Sequence, residues 1–167
     1  MGYVHDTAMS QYIPPTVFHC VTGTWTWTAG AVTGTISKHK ASNSETTVVT
    51  IPIKIPSNSV ALKGCYLKSI EVDYEFTGAA ATSVTAAIHK VARGADTAVA
   101  VVSSPACTQD LAAAVAAATQ DQHKLTVTMT TPAWIDNDEY YLLELTIVAS
   151  TAVIELLGAV VNFTFRV

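Results

Sequence analysis

The feature that most constrains this chain is the alternation of polar and apolar residues that returns in short segments along its length. It is clearest in YLKSIEVDYEF, residues 66–76. Leu67 and Ser69 lie on one side of this segment, and the apolar residues Tyr66, Ile70, Val72, Tyr74 and Phe76 lie on the other. Lys68 is the exception on that side, and three acids, Glu71, Asp73 and Glu75, lie opposite. A period of two places successive side chains on opposite faces of a β-strand, so this segment is predicted to be a half-buried strand.

Similar segments follow one another with short polar turns between them. The predicted strands are 16–21, 24–28, 31–39, 46–55, 65–77, 82–92, 97–102, 122–131, 140–149 and 152–167. The short link Ala29-Gly30 predicts a hairpin between the second and the third of these. Pro52 has no amide donor, so its strand is expected to lie at an edge or to carry a bulge. Many short strands rich in Thr and Val indicate an all-β antiparallel sandwich.

We expect a jelly-roll-like fold of about eight to ten strands. The rival is an immunoglobulin-like sandwich, but its Cys…Trp…Cys pattern is missing. The segment 104–122 is rich in Ala, and it is expected to form one short helix or an ordered loop.

The length of 167 residues indicates one domain. We interpret residues 1–15, which end in Pro14-Pro15, as an N-terminal arm and residues 16–167 as a single β-sandwich. The arm lacks the basic and then apolar order of a signal peptide, and no apolar run reaches about 18 residues. We therefore expect that the protein is made without a signal peptide in the cytoplasm of a host, and that it has no membrane partner.

The charge content points to association with other protein surfaces. Charged residues are 13% of the chain, against about 25% in ordinary soluble domains. The formal net charge of −4 argues against nucleic acid as a partner, because phosphate binding requires a basic face. One explanation for so few charges is that copies of the chain, or a partner, cover part of its surface.

The row Glu71, Asp73 and Glu75 is the first candidate for chemistry. Alternate residues of a strand lie about 6.6 Å apart, and glycosidases use carboxylate pairs at about 5–9.5 Å. However, acids opposite an apolar face are also what the wet side of an antiparallel strand shows. We favour the wet face, and rank a glycosidase that uses Glu71 and Asp73 last among the functions.

No other pattern indicates catalysis, a cofactor or a metal. The run Asp136–Glu139 supplies oxygen ligands, but it lacks the spacing of a calcium loop and suits a turn between strands. Three cysteines, Cys20, Cys65 and Cys107, show no metal-binding spacing and are interpreted as small buried residues. We therefore expect no enzyme activity, no catalytic or cofactor-binding residues and no metal site.

Trp25 and Trp27 alternate with threonines and project from the same side of their predicted strand. Exposed, the two rings would form a stacking platform for sugars, which makes a carbohydrate-binding module the alternative function. Buried, they would be core anchors or contacts between subunits. We favour the core or the subunit interface.

Three segments carry a resemblance to a known family. The segments YLKSIEVDYEF, LTVTMTTPAWIDNDEYYLLELTIVA and AVIELLGAVVNFTFRV resemble the core of small single-jelly-roll virion proteins of bacterial viruses, of the capsid decoration or minor coat type. The resemblance covers roughly residues 46–167 and is one of texture and strand order. It implies a structural role in a virion, as a homo-oligomer, expected to be a trimer, that forms or decorates a particle built with a major capsid protein.

The residues expected at the contacts are mainly aromatic, because interfaces are enriched in such side chains. The candidate interface residues are Tyr3, Tyr12, Ile13, Trp25, Trp27 and Trp134. The arm 1–15 is expected to tie one subunit to the next.

Overall fold

The computed structural model describes residues 5–29, 36–40, 44–57, 64–92, 101–110, 122–132, 134–149 and 151–166. The strands in these ranges are β1 (Asp6–Ile13), β2 (His19–Thr22), β3 (Trp25–Ala29), β4 (Ile36–Lys40), β5 (Glu45–Ile53), β6 (Gly64–Thr77), β7 (Ala81–Ala92), β8 (Val101–Ser103), β9 (Cys107–Gln109), β10 (Gln122–Met129), β11 (Glu139–Ala149) and β12 (Val153–Arg166). A 3-10 turn, Pro15–Val17, separates β1 from β2. Within these ranges, no helix is long and apolar enough to cross a membrane.

The strands form two antiparallel sheets that pack as a sandwich. One sheet has seven strands in the order β3-β4-β12-β6-β10-β9, with β1 also paired to β12. The other has five strands in the order β2-β5-β11-β7-β8. In the described part of the chain, consecutive strands lie in different sheets except for the pairs β3 and β4, β7 and β8, and β9 and β10, so that β12 lies beside β6 while β11 lies between β5 and β7. This wrapping of one set of strands around another is the jelly-roll arrangement, and the all-β sandwich expected from the sequence is confirmed.

The strand β12 organises the larger sheet. It pairs with β6 along its whole length on one edge. Its other edge is shared, because Ile154–Leu156 pair with β4 and Ala159–Arg166 pair with β1. The strand β1 is therefore held in the larger sheet by its pairing with β12.

The core lies between the two sheets and is mostly aliphatic, with a few aromatic side chains. Its largest fully buried side chains are Ile51, Leu67, Ile70, Phe76, Ile88, Leu125, Tyr141, Leu143, Leu145, Ile147 and Ile154. The long central strands supply alternate residues, as in β11, where Tyr141 to Ala149 are buried at odd positions. Glu144 falls between them and is only half-buried, as its position in the alternation predicts.

A bulge in β6 corrects one part of the sequence interpretation. Ser69 pairs with Asn162 and Leu67 pairs with Phe163, which leaves Lys68 as the extra residue between the two pairs. An extra residue reverses the alternation beyond it. Leu67 is therefore fully buried, while Tyr66, which was expected on the apolar side, is half-buried on the outer face.

Several other segments differ from expectation. The segment predicted as a strand over 16–21 begins within the 3-10 turn, and β2 starts only at His19. Pro52 does not lie in an edge strand, because β5 is flanked by β2 and β11, but the pairing with β2 stops at Thr50. Within 104–122, where a short helix or an ordered loop was expected, Cys107–Gln109 is a strand, while residues 111–121 lie outside the described residues.

Candidate functional site

The most distinctive surface of the molecule is formed by β1 and the edge of β12 that carries it. The two ends of the chain are joined there by an ion pair, in which the guanidinium of Arg166 donates two hydrogen bonds to the carboxylate of Asp6. The Nη2–Oδ2 distance is 2.6 Å. These hydrogen bonds and the positive charge of Arg166 hold the pKa of Asp6 below its ordinary value.

Two further side chains fasten the outer face of β1. The hydroxyl of Ser10 donates to Oδ1 of Asn162 at 2.7 Å, and the hydroxyl of Tyr12 donates to the carbonyl of Leu157 at 2.9 Å. Leu157 is the extra residue of a second bulge, because the next pairs with β6 on either side are those of Leu156 and Gly158. The ring of Tyr12 lies against Gly158, whose φ is +153°. A side chain at position 158 would overlap this ring, so the glycine makes room for the tyrosine.

Further polar contacts lie next to these on the outer face of the larger sheet. The side-chain amide nitrogen of Asn162 donates hydrogen bonds to Ser69 and to Glu71. The ammonium group of Lys124 donates to the other carboxylate oxygen of Glu71 at 2.7 Å. The Lys124 ammonium lowers the pKa of Glu71. The acid row of β6 is therefore on the outer, partly wet face, and its first member is held by neighbouring strands.

A groove, which we call the β1 groove, lies beneath β1. It consists of two cavities of about 440 Å³ and 170 Å³, and Gln11 and Lys54 line both. The remaining lining is mostly apolar and comes from Tyr12, Ile13, Pro14, Val17, Pro52, Ile53, Ile55, Pro56, Ile135, Glu139 and Tyr140.

Most of β1 is exposed to solvent. Seven of its eight residues are exposed, and only Ile13 is buried. Met9 pairs with Phe163, a core residue, and therefore belongs to the row that faces the core, yet it is 46% exposed. In the described part of the chain, β12 is the only strand paired with β1.

The sequence-predicted interface residues are distributed over several places. Tyr12 lies on β1 and is 56% exposed, whereas its neighbour Ile13 is part of the core of its own chain. Trp134 is half-buried, with Tyr66 edge-on at 4.6 Å and the Arg166 guanidinium over its ring at 4.6 Å. Tyr3 lies outside the described residues.

The two tryptophans of β3 have different environments. Trp25 is half-buried and packs against the core, whereas Trp27 is 51% exposed. A sugar platform made of two parallel rings requires both faces to be open. Of the two rings, only that of Trp27 is exposed, because Trp25 is half-buried.

The turn at Asp136–Glu139 is closed by its own hydrogen bonds. The amide of Glu139 donates to the carbonyl of Asp136, and the amide of Asp136 donates to the carboxylate of Glu139. Glu139 also forms an ion pair with Lys90. Among the described residues, no group of three or more Cys, His, Asp or Glu side chains could hold a metal ion.

The fold also brings together three side chains that the sequence analysis did not single out. Ser104 Oγ lies 3.0 Å from Nδ1 of His89, and Nε2 of His89 lies 3.5 Å from Glu144 Oε2. These residue types occur in hydrolase triads, but Ser104 is exposed and none of the three lines the β1 groove. We interpret the array as a surface contact. It joins residues from separate parts of the chain, so no local motif could have indicated it.

The comparisons with known proteins do not assign the chain to a family. No family model and no curated protein matches it.

The candidate functional site that these features support best is therefore β1 together with the β1 groove. It offers backbone hydrogen-bonding groups along an edge, apolar side chains and a groove. It has the components of a protein contact rather than of a catalytic centre.

Proposed function

We propose that this protein is a self-associating structural subunit that forms or decorates a virion-like particle. The observation that carries the proposal is the number of large apolar side chains exposed on a surface that has few charges. In the described residues these side chains are Met9, Tyr12, Val17, Val21, Trp27, Val102 and Tyr140. Exposed apolar groups that cluster commonly mark protein contacts.

Three of these seven side chains line the β1 groove. Tyr12 and Val17 line the smaller cavity of the β1 groove, and Tyr140 lines the larger one. Burial of apolar surface stabilises association by roughly 25 cal/mol per Å² before the costs of binding are subtracted. If another subunit covered the β1 groove, these three large side chains would be removed from contact with water.

The jelly-roll fold and the resemblance described above give the proposal its biological setting. The resemblance implies a homo-oligomer of three copies, attached to or part of a capsid. The small charged fraction, 13%, agrees with a subunit whose surface is partly covered in its working state.

Electron microscopy of the purified protein, with its mass measured by light scattering, tests the proposal. We expect oligomers or larger particles, with a mass that is a multiple of 17.6 kDa. Dispersed monomers of 17.6 kDa at every concentration would contradict it.

The carbohydrate-binding alternative depends on Trp27, whose ring is the more exposed of the pair in β3. A fluorescence titration with polysaccharides tests it, with a Trp27→Ser variant as the control. Quenching that disappears in the variant would support the alternative. We expect no change in the emission of either protein.

A further inference from the structure

We propose that two copies of the chain join by antiparallel pairing of their β1 strands, which makes one continuous sheet across the contact. The inference rests on the proposed self-association and names the contact that produces it. The occupant of the open edge of β1 is therefore the β1 strand of a second copy.

The edge of β1 lacks the sequence features that normally protect an edge strand from pairing. Natural sheets usually block their edges with lysines, prolines, bulges or very short strands. Asp6–Ile13 reads DTAMSQYI and contains no Lys, Arg, Pro or Gly. Its pairing with β12 shows no shift of register. At about 3.4 Å per residue, eight residues offer an edge about 27 Å long.

The other edges of the two sheets differ from this one. In the described part of the chain, β8 and β9 have three residues each, and β3 has five. The strand β2 has four residues, with a shift of register between Cys20 and Thr22. Edge strands that are short or bulged offer little to a partner, so β1 is the edge best suited to pairing.

The charges of β1 allow two copies of the strand to pair. Asp6 is the only acid of β1, and it is already bound to Arg166. In a two-fold antiparallel pair with each face continued, residues of the same face oppose each other, as when Met9 opposes the partner's Met9 or Ser10 opposes the partner's Ser10. Asp6 then lies across from the partner's Tyr12 in the first register and from the partner's Pro14 in the second. No carboxylate faces another, so the edge is compatible with itself.

Pairing of the two strands would also cover exposed apolar side chains of β1. Met9 is 46% exposed in the row of β1 that faces the core, and Tyr12 is 56% exposed in the opposite row. A second strand alongside would place side chains next to both. It would also extend the wall of the groove that Gln11 lines.

A two-fold contact has a consequence for the number of copies. It joins subunits in pairs, so the assembly contains an even number of chains. This differs from the trimer that the resemblance implies, unless trimers are joined in pairs through β1.

Amide hydrogen exchange resolved by residue in the wild-type protein tests the contact. In an antiparallel ladder, a strand uses alternate residues to bond one neighbour and the remaining residues to bond the other. Pairing on both edges predicts slow exchange at consecutive amides from Thr7 to Tyr12. If β1 pairs only with β12, alternate amides in this range exchange rapidly.

A substitution tests the same contact independently. Met9→Lys adds the charge that edge strands normally use for protection. We expect it to raise the dissociation constant of the contact about tenfold or more. The matched control is Val102→Lys, which adds the same charge at an exposed apolar residue on the short edge strand β8, and it is expected to have no effect. Circular dichroism and thermal melting establish that both variants fold.

The outcomes separate this inference from the proposed function. A wild-type oligomer with fast alternate amides in β1, and with no response to Met9→Lys, overturns the β1 pairing and leaves self-association standing. An exchange of β1 strands between subunits would give the same alternate pattern and also counts against the inference. A wild-type monomer at all concentrations overturns both.

Discussion

At the scale of single residues, Gly158 and Tyr12 act as a matched pair. A β-carbon at Gly158 would lie 2.7 Å from ring atoms of Tyr12, and the φ of +153° is one that residues with side chains rarely adopt. The glycine therefore determines whether the ring can lie over the bulge of β12 and whether its hydroxyl can reach Leu157.

We expect Gly158→Ala to lower the free energy of unfolding by about 3 kcal/mol or more, from backbone strain together with overpacking. The matched control is Gly78→Ala, where φ is +86° and nothing lies within 4 Å of an added carbon. It should cost about 1–2 kcal/mol from the backbone alone. Urea unfolding measures both, and equal costs would show that Tyr12 does not occupy the space over Gly158.

A second residue-scale prediction concerns acid. Because Arg166 lowers the pKa of Asp6 in the folded state, the ion pair stabilises β1 fully above the ordinary aspartate pKa of about 4. This stabilisation is lost as the pH falls through the lower folded value, where Asp6 becomes protonated. Amide exchange of the residues bonded to β12 should therefore accelerate in acid, after correction for intrinsic exchange rates.

The control for this prediction is Asp6→Asn, which removes the titrating group. In that variant the β1 amides should exchange faster at neutral pH and show a weaker response to acid. An identical response to acid in both proteins would mean that another group releases the strand.

At the scale of elements, the bulge at Lys68 decides which side chains of β6 enter the core. The structure buries Leu67 completely and leaves Tyr66 half-buried beside Trp134. We expect Leu67→Ala to cost about 2–5 kcal/mol, as large-to-small core substitutions do. Tyr66→Ala should cost less. Urea unfolding of the two variants compares the losses directly. A larger loss for Tyr66→Ala than for Leu67→Ala would contradict the bulge and would favour an unbroken alternation in β6.

The same strand shows what could be predicted from the sequence and what could not. From Ile70 to Phe76 the alternation predicts burial correctly, because each residue faces either core or solvent in a regular strand. The prediction fails at Tyr66 because a bulge is produced by pairing with β12, which local sequence does not contain. Lys68, the exception in the pattern, was the only sequence signal for it.

The candidate site was less predictable than the sheets. The segment DTAMSQYI has no strong alternation, and its strand forms by pairing with residues about 150 positions later in the chain. The sequence did indicate Tyr12 as a contact residue. It did not indicate that the arm would lie on its own chain, where Ile13 enters the core.

At the scale of the whole molecule, a jelly roll closes most of its hydrogen-bonding capacity within its own sheets. In this chain, β1 remains as a long edge, next to a groove lined by apolar residues. The low charge content and the exposed side chains around this groove favour association with a second copy. The account therefore depends on whether the chain associates with itself.

The most direct measurement is the molar mass of the wild-type protein by light scattering over a wide range of concentrations. The account predicts an oligomer with an even number of 17.6 kDa subunits, which dissociates on dilution more readily in Met9→Lys than in Val102→Lys. A constant mass of 17.6 kDa at every concentration would contradict it.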